Sequence, residues 1–211
     1  MSSNQRTKIV LVSGGFFQGK SLISLGIASQ LKFSGVITTD MIRNVLKINY
    51  PEQIYLSSLS YLWHDLDLIK QVDKTSNTIQ NLLLHYMNNM EHVVVEGIHF
   101  SKQFMKWAED QSLCRICVNN ILPLSERVLL KSVTRSRFRA TTSLTSSDEM
   151  IDISTSNINN SRFIKDQDDI EKFHKTIMQA SVNCGFELIE YDDIDIGIQK
   201  SVEWVRQWYN L

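Results

Sequence analysis

Gly14-Gly15-Phe16-Phe17-Gln18-Gly19-Lys20-Ser21 fits the pattern G-x-x-x-x-G-K-[ST]. An apolar run, Lys8 to Val12, precedes it, and a helix-like stretch, Ser21 to Leu31, follows. Strand, loop and helix in that order are the context that turns this pattern into a phosphate site. Successive backbone N–H groups and a helix N-terminus concentrate positive potential where a nucleotide's phosphates would lie. Lys20 is placed to reach the β- and γ-phosphates, and the Ser21 hydroxyl to ligate Mg²⁺. Four of the eight glycines (Gly14, Gly15, Gly19, Gly26) fall in this short region, so the clustering is local and not a feature of the composition. The candidate nucleotide contacts are Gly14, Gly15, Phe16, Phe17, Gln18, Gly19, Lys20, Ser21 and the next residue, Leu22.

Two further polar clusters end apolar runs. Thr38-Thr39-Asp40-Met41-Ile42-Arg43 follows the second. Asp40 can orient the proton of an attacking hydroxyl, hold a metal-bound water, or simply cap the next helix. Arg43 is three positions on, shares a helical face with Asp40, and suits an anionic acceptor. Val93-Val94-Val95-Glu96-Gly97-Ile98-His99 reads as a central strand ending in a carboxylate. An acid there can orient magnesium in phosphoryl transfer. Gly97 lets the chain turn close to a ligand. His99 is either a substrate contact or a hydrogen-bonded loop residue.

Arginines supply the last group. Arg135 and Arg139 are one helical turn apart, and Arg162 stands across a Ser/Thr/Asn-rich tract, residues 141–161. Guanidinium groups closing from such a lid neutralise the charge spread over a transferring phosphoryl group. The alternative is basic side chains favouring a helix C-terminus. The candidate catalytic set is thus Lys20, Asp40, Glu96, Arg135 and Arg139. The acceptor set is Thr39, Asp40, Arg43, Gly97, His99 and Arg162, and the metal set is Ser21, Asp40 and Glu96.

Positioning these groups requires a sheet. Strand-like runs are Lys8–Val12, Gly35–Thr38, His92–Glu96, Cys114–Ile121 and Glu187–Ile189. Helical patterns cover Ser21–Leu31, Asp40–Lys47, Ser76–Met90, Ser101–Asp110, Ser125–Arg139, Asp168–Asn183 and Asp195–Tyr209, with Gly185 ending the sixth. Alternation of this kind predicts crossover connections and a parallel sheet covered on both faces, a three-layer α/β/α fold. Ligands in such sheets sit beyond the carboxyl ends of the strands. The polar tract reads as a lid insert at about residues 134–163 of a single 1–211 domain.

Composition narrows the partners. A chain of 211 residues buries a core without staples, and its net charge of −1 gives no electrostatic case for nucleic acid or an anionic membrane. No apolar stretch approaches a membrane span. The polar start, Met1 to Arg6, lacks the apolar middle of a signal peptide, which sets cytoplasm as the expected compartment. Three cysteines make no disulfide framework. Cys114 and Cys117 form a C-x-x-C inside a strand-like run, with no second pair to complete a zinc site, so they read as small core residues. Trp63, Trp107, Trp204 and Trp208 read as packing residues. His64, His85, His92 and His174 show no ligand spacing. The acidic run Asp192-Asp193-Ile194-Asp195 reads as a cap for the last helix.

The loop Gly14–Ser21, Thr39-Asp40-x-x-Arg43, Val95-Glu96-Gly97-Ile98-His99 and the arginine-flanked lid together resemble the 2-phosphoglycerate kinases, P-loop kinases of adenylate-kinase type. The likeness runs from about residue 8 to residue 205. It implies ATP and Mg²⁺, a phosphorylated hydroxy-acid acceptor, and a five-stranded parallel sheet of the P-loop NTPase kind with a moving lid. It implies Lys20 and Ser21 on the nucleotide, Asp40 and Arg43 on the acceptor side, Glu96 near metal or acceptor, and Arg135 and Arg139 in the lid. The expected activity is transfer of the γ-phosphoryl group of ATP to a hydroxyl of a small anionic metabolite. A kinase for another acceptor, such as a nucleotide, sugar acid or polynucleotide end, and a silent nucleotide-binding regulator are the alternatives. A homodimer is left open.

Overall fold

The computed structural model describes residues 7–57, 65–129 and 167–211. Five parallel strands form one sheet: β1 (Ile9–Ser13), β2 (Gly35–Thr38), β3 (Val93–Glu96), β4 (Cys114–Asn120) and β5 (Glu187–Tyr191), in the order β2-β3-β1-β4-β5. The helices are α1 (Lys20–Leu31), α2 (Thr39–Asn49), α3 (Asp65–Asn88), α4 (Lys102–Asp110), α5 (Gln167–Asn183) and α6 (Ile194–Tyr209). A 3₁₀ turn covers Ile54–Leu56, and residues 124–129 are helical.

The central strands are apolar on both faces because both faces are covered. Val10, Val12, Val94, Ile116 and Val118 pack with Ile23 and Ile27 of α1 and Val202 and Val205 of α6. Ile9, Leu11, Val93 and Val95 pack on the other side with Ile79 and Leu83 of α3 and Phe104 and Met105 of α4. Cys114 belongs to the first layer and Cys117 to the second. Residues three apart on a strand point to opposite faces, so this C-x-x-C is two core side chains and no redox pair.

Helix ends follow local chemistry. The Thr38 hydroxyl accepts from the Met41 amide at 3.0 Å and caps α2; Ser101 does the same for α4. Asp193 caps α6 by accepting from the Asp195 and Ile196 amides. Strand ends agree with the sequence expectation within two residues, and so do the helices except α3; of the expected helix Ser125–Arg139 only the start falls among the described residues. Helix α3 begins at Asp65, well before the expected Ser76. Its early buried residues are Gln71, Thr75 and Ser76, while Leu66 and Ile69 are exposed. A helix whose inward stripe is polar gives no hydrophobic periodicity to read.

Register decides what the fold offers a ligand. Val12 stands opposite Glu96, and Thr38 opposite Glu96 on the other side of β3. The loop after β1, the start of α2 after β2, and Glu96-Gly97 after β3 therefore meet at one carboxyl edge. The chain leaves β1 toward β2 and leaves β3 toward β4, in opposite directions across the sheet. This is the switch-point crevice of an open α/β sheet.

Candidate active site

The loop between β1 and α1 is held from below and from both sides. Gln18 is buried, and its Oε1 accepts from the Asn120 amide at 2.6 Å. The Tyr191 hydroxyl donates to the Gln18 carbonyl. Ser13 and Ser181 share a 2.7 Å hydrogen bond beneath. Lys20 donates to the Gly15 carbonyl at 2.7 Å, and among the described residues this is its single hydrogen bond. An ammonium carries three N–H groups, so most of its donor capacity is uncommitted. Burial lowers the Lys20 pKa, while the Glu96 and Asp40 carboxylates pull it back up. The Ser21 hydroxyl donates to Glu96 Oε1 at 3.1 Å. A hydroxyl and a buried carboxylate side by side are hard oxygen donors of the kind Mg²⁺ takes, one or two at a time, beside phosphate. Among the described residues no group of three His, Cys, Asp or Glu side chains gathers as an all-protein metal cage.

Beyond Glu96 the chain turns at Gly97, φ +149°. A Cβ there would fall 1.9 Å from Thr39 Oγ1, so only glycine lets β3 end this close to α2. Thr39 Oγ1 lies 2.8 Å from His99 Nδ1, and His99 Nε2 lies 2.8 Å from Gln71 Oε1. Gln71 Nε2 donates to the Tyr55 carbonyl. That bond orients the amide, so Gln71 Oε1 accepts from Nε2–H and His99 Nδ1 accepts from the Thr39 hydroxyl. His99 is fully buried with both ring nitrogens bonded inside the protein. Thr39, its partner, is fully buried as well.

Asp40 stands in the first turn of α2, largely exposed, with Arg43 Nε 3.6 Å from its carboxylate. Thr38 performs the cap, which leaves Asp40 free of that duty. Arg43 Nη1 donates to the Leu56 carbonyl at 3.1 Å and ties α2 to the 3₁₀ turn. Lys20, Ser21, Glu96, Gly97, Thr39, Asp40 and Arg43 thus share one sheet edge. Phe16 and Phe17 pack with Leu124 and Ile170 beside the loop, whereas Leu22 is exposed on the first turn of α1. Arg135, Arg139, Arg162, Trp63, His64 and the expected lid lie outside the described residues.

Several residues of the site carried no sequence signal. His174, on α5, accepts from the Gly15 amide through Nδ1 at 3.2 Å, and its Nε2 meets Asn119 Oδ1 at 3.0 Å. Arg127 is buried and paired with Glu171 of α5. Both sit where residues far apart in the chain meet, and spacing does not report such meetings. Gln71 went unread because it lies on the polar stripe of α3.

The two buried imidazoles make the fold acid-sensitive. Burial first, then neighbouring cations, push His174 down to about 4; burial does the same to His99, also to about 4. An unfolded imidazole titrates near about 6.5. Between those values the unfolded chain binds protons that the folded one refuses, so stability falls as pH drops through that window. Each group is worth on the order of 3 kcal/mol over the full window. Melting at about pH 5 is expected several degrees below melting at about pH 7. A melting temperature unchanged between the two would contradict neutral, buried rings.

No family model matches the chain, and no curated protein matches it. Solved structures do. A shikimate kinase from Bacteroides thetaiotaomicron is 13% identical, with 97% of this chain and 99% of that chain covered at a TM-score of 0.50. A sugar kinase from Janibacter is 10% identical over 97% and 95% of the two chains, TM-score 0.48. A gluconokinase from Sinorhizobium meliloti is 12% identical over 99% and 97%, TM-score 0.45. Likeness at such identity speaks to architecture. The parallel sheet with helices on both sides, and the loop Gly14–Ser21 on its edge, give this chain the fold of the P-loop kinases.

Proposed function

We propose that the protein is an ATP-dependent small-molecule kinase. It transfers the γ-phosphoryl group to a hydroxyl of a small anionic metabolite, with 2-phosphoglycerate or a related phosphorylated hydroxy acid as the first acceptor to test. The observation that carries the reading is the Lys20–Ser21–Glu96 assembly, with Asp40 and Arg43 presented from the adjoining strand end. The fold's likeness to a shikimate kinase supports it.

On this reading the loop amides and Lys20 bind the phosphates. Lys20 turns its uncommitted N–H groups to phosphate oxygens and neutralises charge on the group in transit. Ser21 and Glu96 would hold Mg²⁺, which supplies Lewis-acid stabilisation of the phosphate oxygens when bound. Arg43 grips an acidic group of the acceptor. Asp40, exposed and outside the metal-side pair, orients the acceptor hydroxyl and takes its proton. Phosphoryl transfer asks little covalent chemistry of the protein, so placement of these groups supplies most of the rate.

A panel of small hydroxy acids, sugar acids, nucleotides and 2-phosphoglycerate with Mg-ATP, read as ADP release and as phosphorylated product, tests the assignment. One anionic acceptor is expected to raise ADP release at least about a hundredfold over water. ATP binding without consumption on every acceptor would favour a regulatory protein, and preference for a neutral acceptor would remove the role given to Arg43.

A further inference from the structure

Both backbone polar groups of Gly15, which belong to successive peptide units, are held by side chains from elsewhere in the site. Its N–H donates to His174 Nδ1 at 3.2 Å, and its carbonyl accepts from Lys20 Nζ at 2.7 Å. The second bond uses one of the three N–H groups of Lys20, which a nucleotide would also draw on, so it is open to exchange for phosphate. The first does not involve Lys20. His174 is buried, and its ring leaves no room at Gly15: a Cβ there would stand 2.6 Å from Nδ1. The ring is itself fixed. Nε2 donates to Asn119 Oδ1, and Asn119 Nδ2 donates to Glu190 Oε1 on β5 at 2.9 Å. One turn earlier on α5, Glu171 pairs with Arg127 and ties that helix to residues 124–129.

We infer that His174 is a positioning residue for nucleotide binding: its unprotonated Nδ1 holds the Gly15 N–H so that the loop keeps its phosphate-receiving shape whether or not Lys20 stays on the Gly15 carbonyl. The inference rests on the reading of Gly14–Ser21 as a phosphate loop. A loop fixed before binding loses less conformational freedom on binding, and the gain appears as affinity. The tautomer matters. An Nδ1 carrying a proton would face the Gly15 N–H donor to donor. Arg127, Lys20 and Lys175 are the cations that act on the ring, and each disfavours its protonation. The nearby carboxylates are engaged, Glu171 with Arg127 and Glu190 with Asn119. Arg127 is therefore more than a packing residue, since its charge helps keep Nδ1 an acceptor.

Conservative variants separate this role from mere packing. In His174→Asn the carboxamide oxygen occupies the place of Nδ1, two bonds from Cβ, and the reach to Asn119 is lost. In His174→Gln the carboxamide extends to the place of Nε2 instead, and the acceptor for Gly15 is lost. His174→Leu loses both. Affinity for Mg-ATP, read with a fluorescent ATP analogue and the full chain, is expected to stay within about threefold in His174→Asn and to fall about tenfold or more in His174→Gln and His174→Leu. The acceptor KM should not move in any of them. Wild-type affinity in His174→Gln, or equal losses in His174→Asn and His174→Gln, would overturn the inference while leaving the phosphate-loop reading intact. Absence of Mg-ATP binding by the wild-type chain would instead overturn that reading and this inference with it. Amide exchange in the wild type needs no variant to fold. The Gly15 N–H should exchange slowly both free and with Mg-ATP, and exchange at the rate of an open loop would also overturn the inference.

Discussion

Lys20→Ala is expected to fold as the wild type does and to lose about a thousandfold or more in turnover. The two halves of that expectation come from one environment. The ammonium is part-buried, and its desolvation disfavours the charged form, so its removal relieves a desolvation cost. Against this, the Gly15 carbonyl loses a bond and Glu96 and Asp40 lose a cation. These terms oppose one another, and the net change in stability should fall within about 1 kcal/mol. Catalysis has no such compensation. The group meant to neutralise the phosphoryl oxygens is gone, and nothing else on this edge among the described residues can reach from the same helix start. Lys20→Arg should rescue poorly, because a planar fork cannot replace a point charge in a cradle shaped by backbone. Thermal melts and ADP release on the same preparations check both halves. Turnover within tenfold of wild type would remove Lys20 from the chemistry and, with it, the basis for the assignment.

What the sequence could disclose follows from how each feature is encoded. Strands buried on both faces need uninterrupted apolar runs, and Ile9–Val12 and Val93–Val95 show as such. The phosphate loop is a local pattern, readable because all its atoms come from consecutive residues. Glu96 and Asp40 were readable as candidates because a carboxyl edge follows from strand direction alone. The remainder depends on contacts between distant segments. The fit of Gly97 against Thr39 joins residues nearly sixty positions apart, and Gly15 meets His174 across 159 positions. Gln71 was hidden for a different reason. Its half of α3 packs inward on a polar network under His99, so the usual periodic signal is inverted, with Leu66 and Ile69 left outside. In each case a polar group is buried because its partner is there, and a single sequence does not list partners.

Glu96→Gln separates the two carboxylates that the sequence could not rank. Glu96 is buried at the end of β3 and accepts the Ser21 hydroxyl, on the phosphate side of the edge. Asp40 is exposed on α2 and pairs with Arg43, on the side proposed for the acceptor. The amide variant keeps the volume of Glu96 and can still accept from Ser21, so the fold should survive. It removes the negative charge, which is what a divalent cation requires of the site. Turnover should drop about a hundredfold or more, and the Mg²⁺ concentration for half-maximal rate should rise about tenfold, with the acceptor KM nearly unchanged. Asp40→Asn should show the converse: a raised acceptor KM and a lowered turnover, at an unaltered Mg²⁺ requirement. The Lys20 ammonium sharpens the contrast, since both carboxylates favour its charged form while only Glu96 also touches Ser21. Equal Mg²⁺ dependence in Glu96→Gln and wild type would take the metal away from β3. A Mg²⁺ shift in Asp40→Asn alone would exchange the two roles, making Glu96 the group that receives the acceptor's proton.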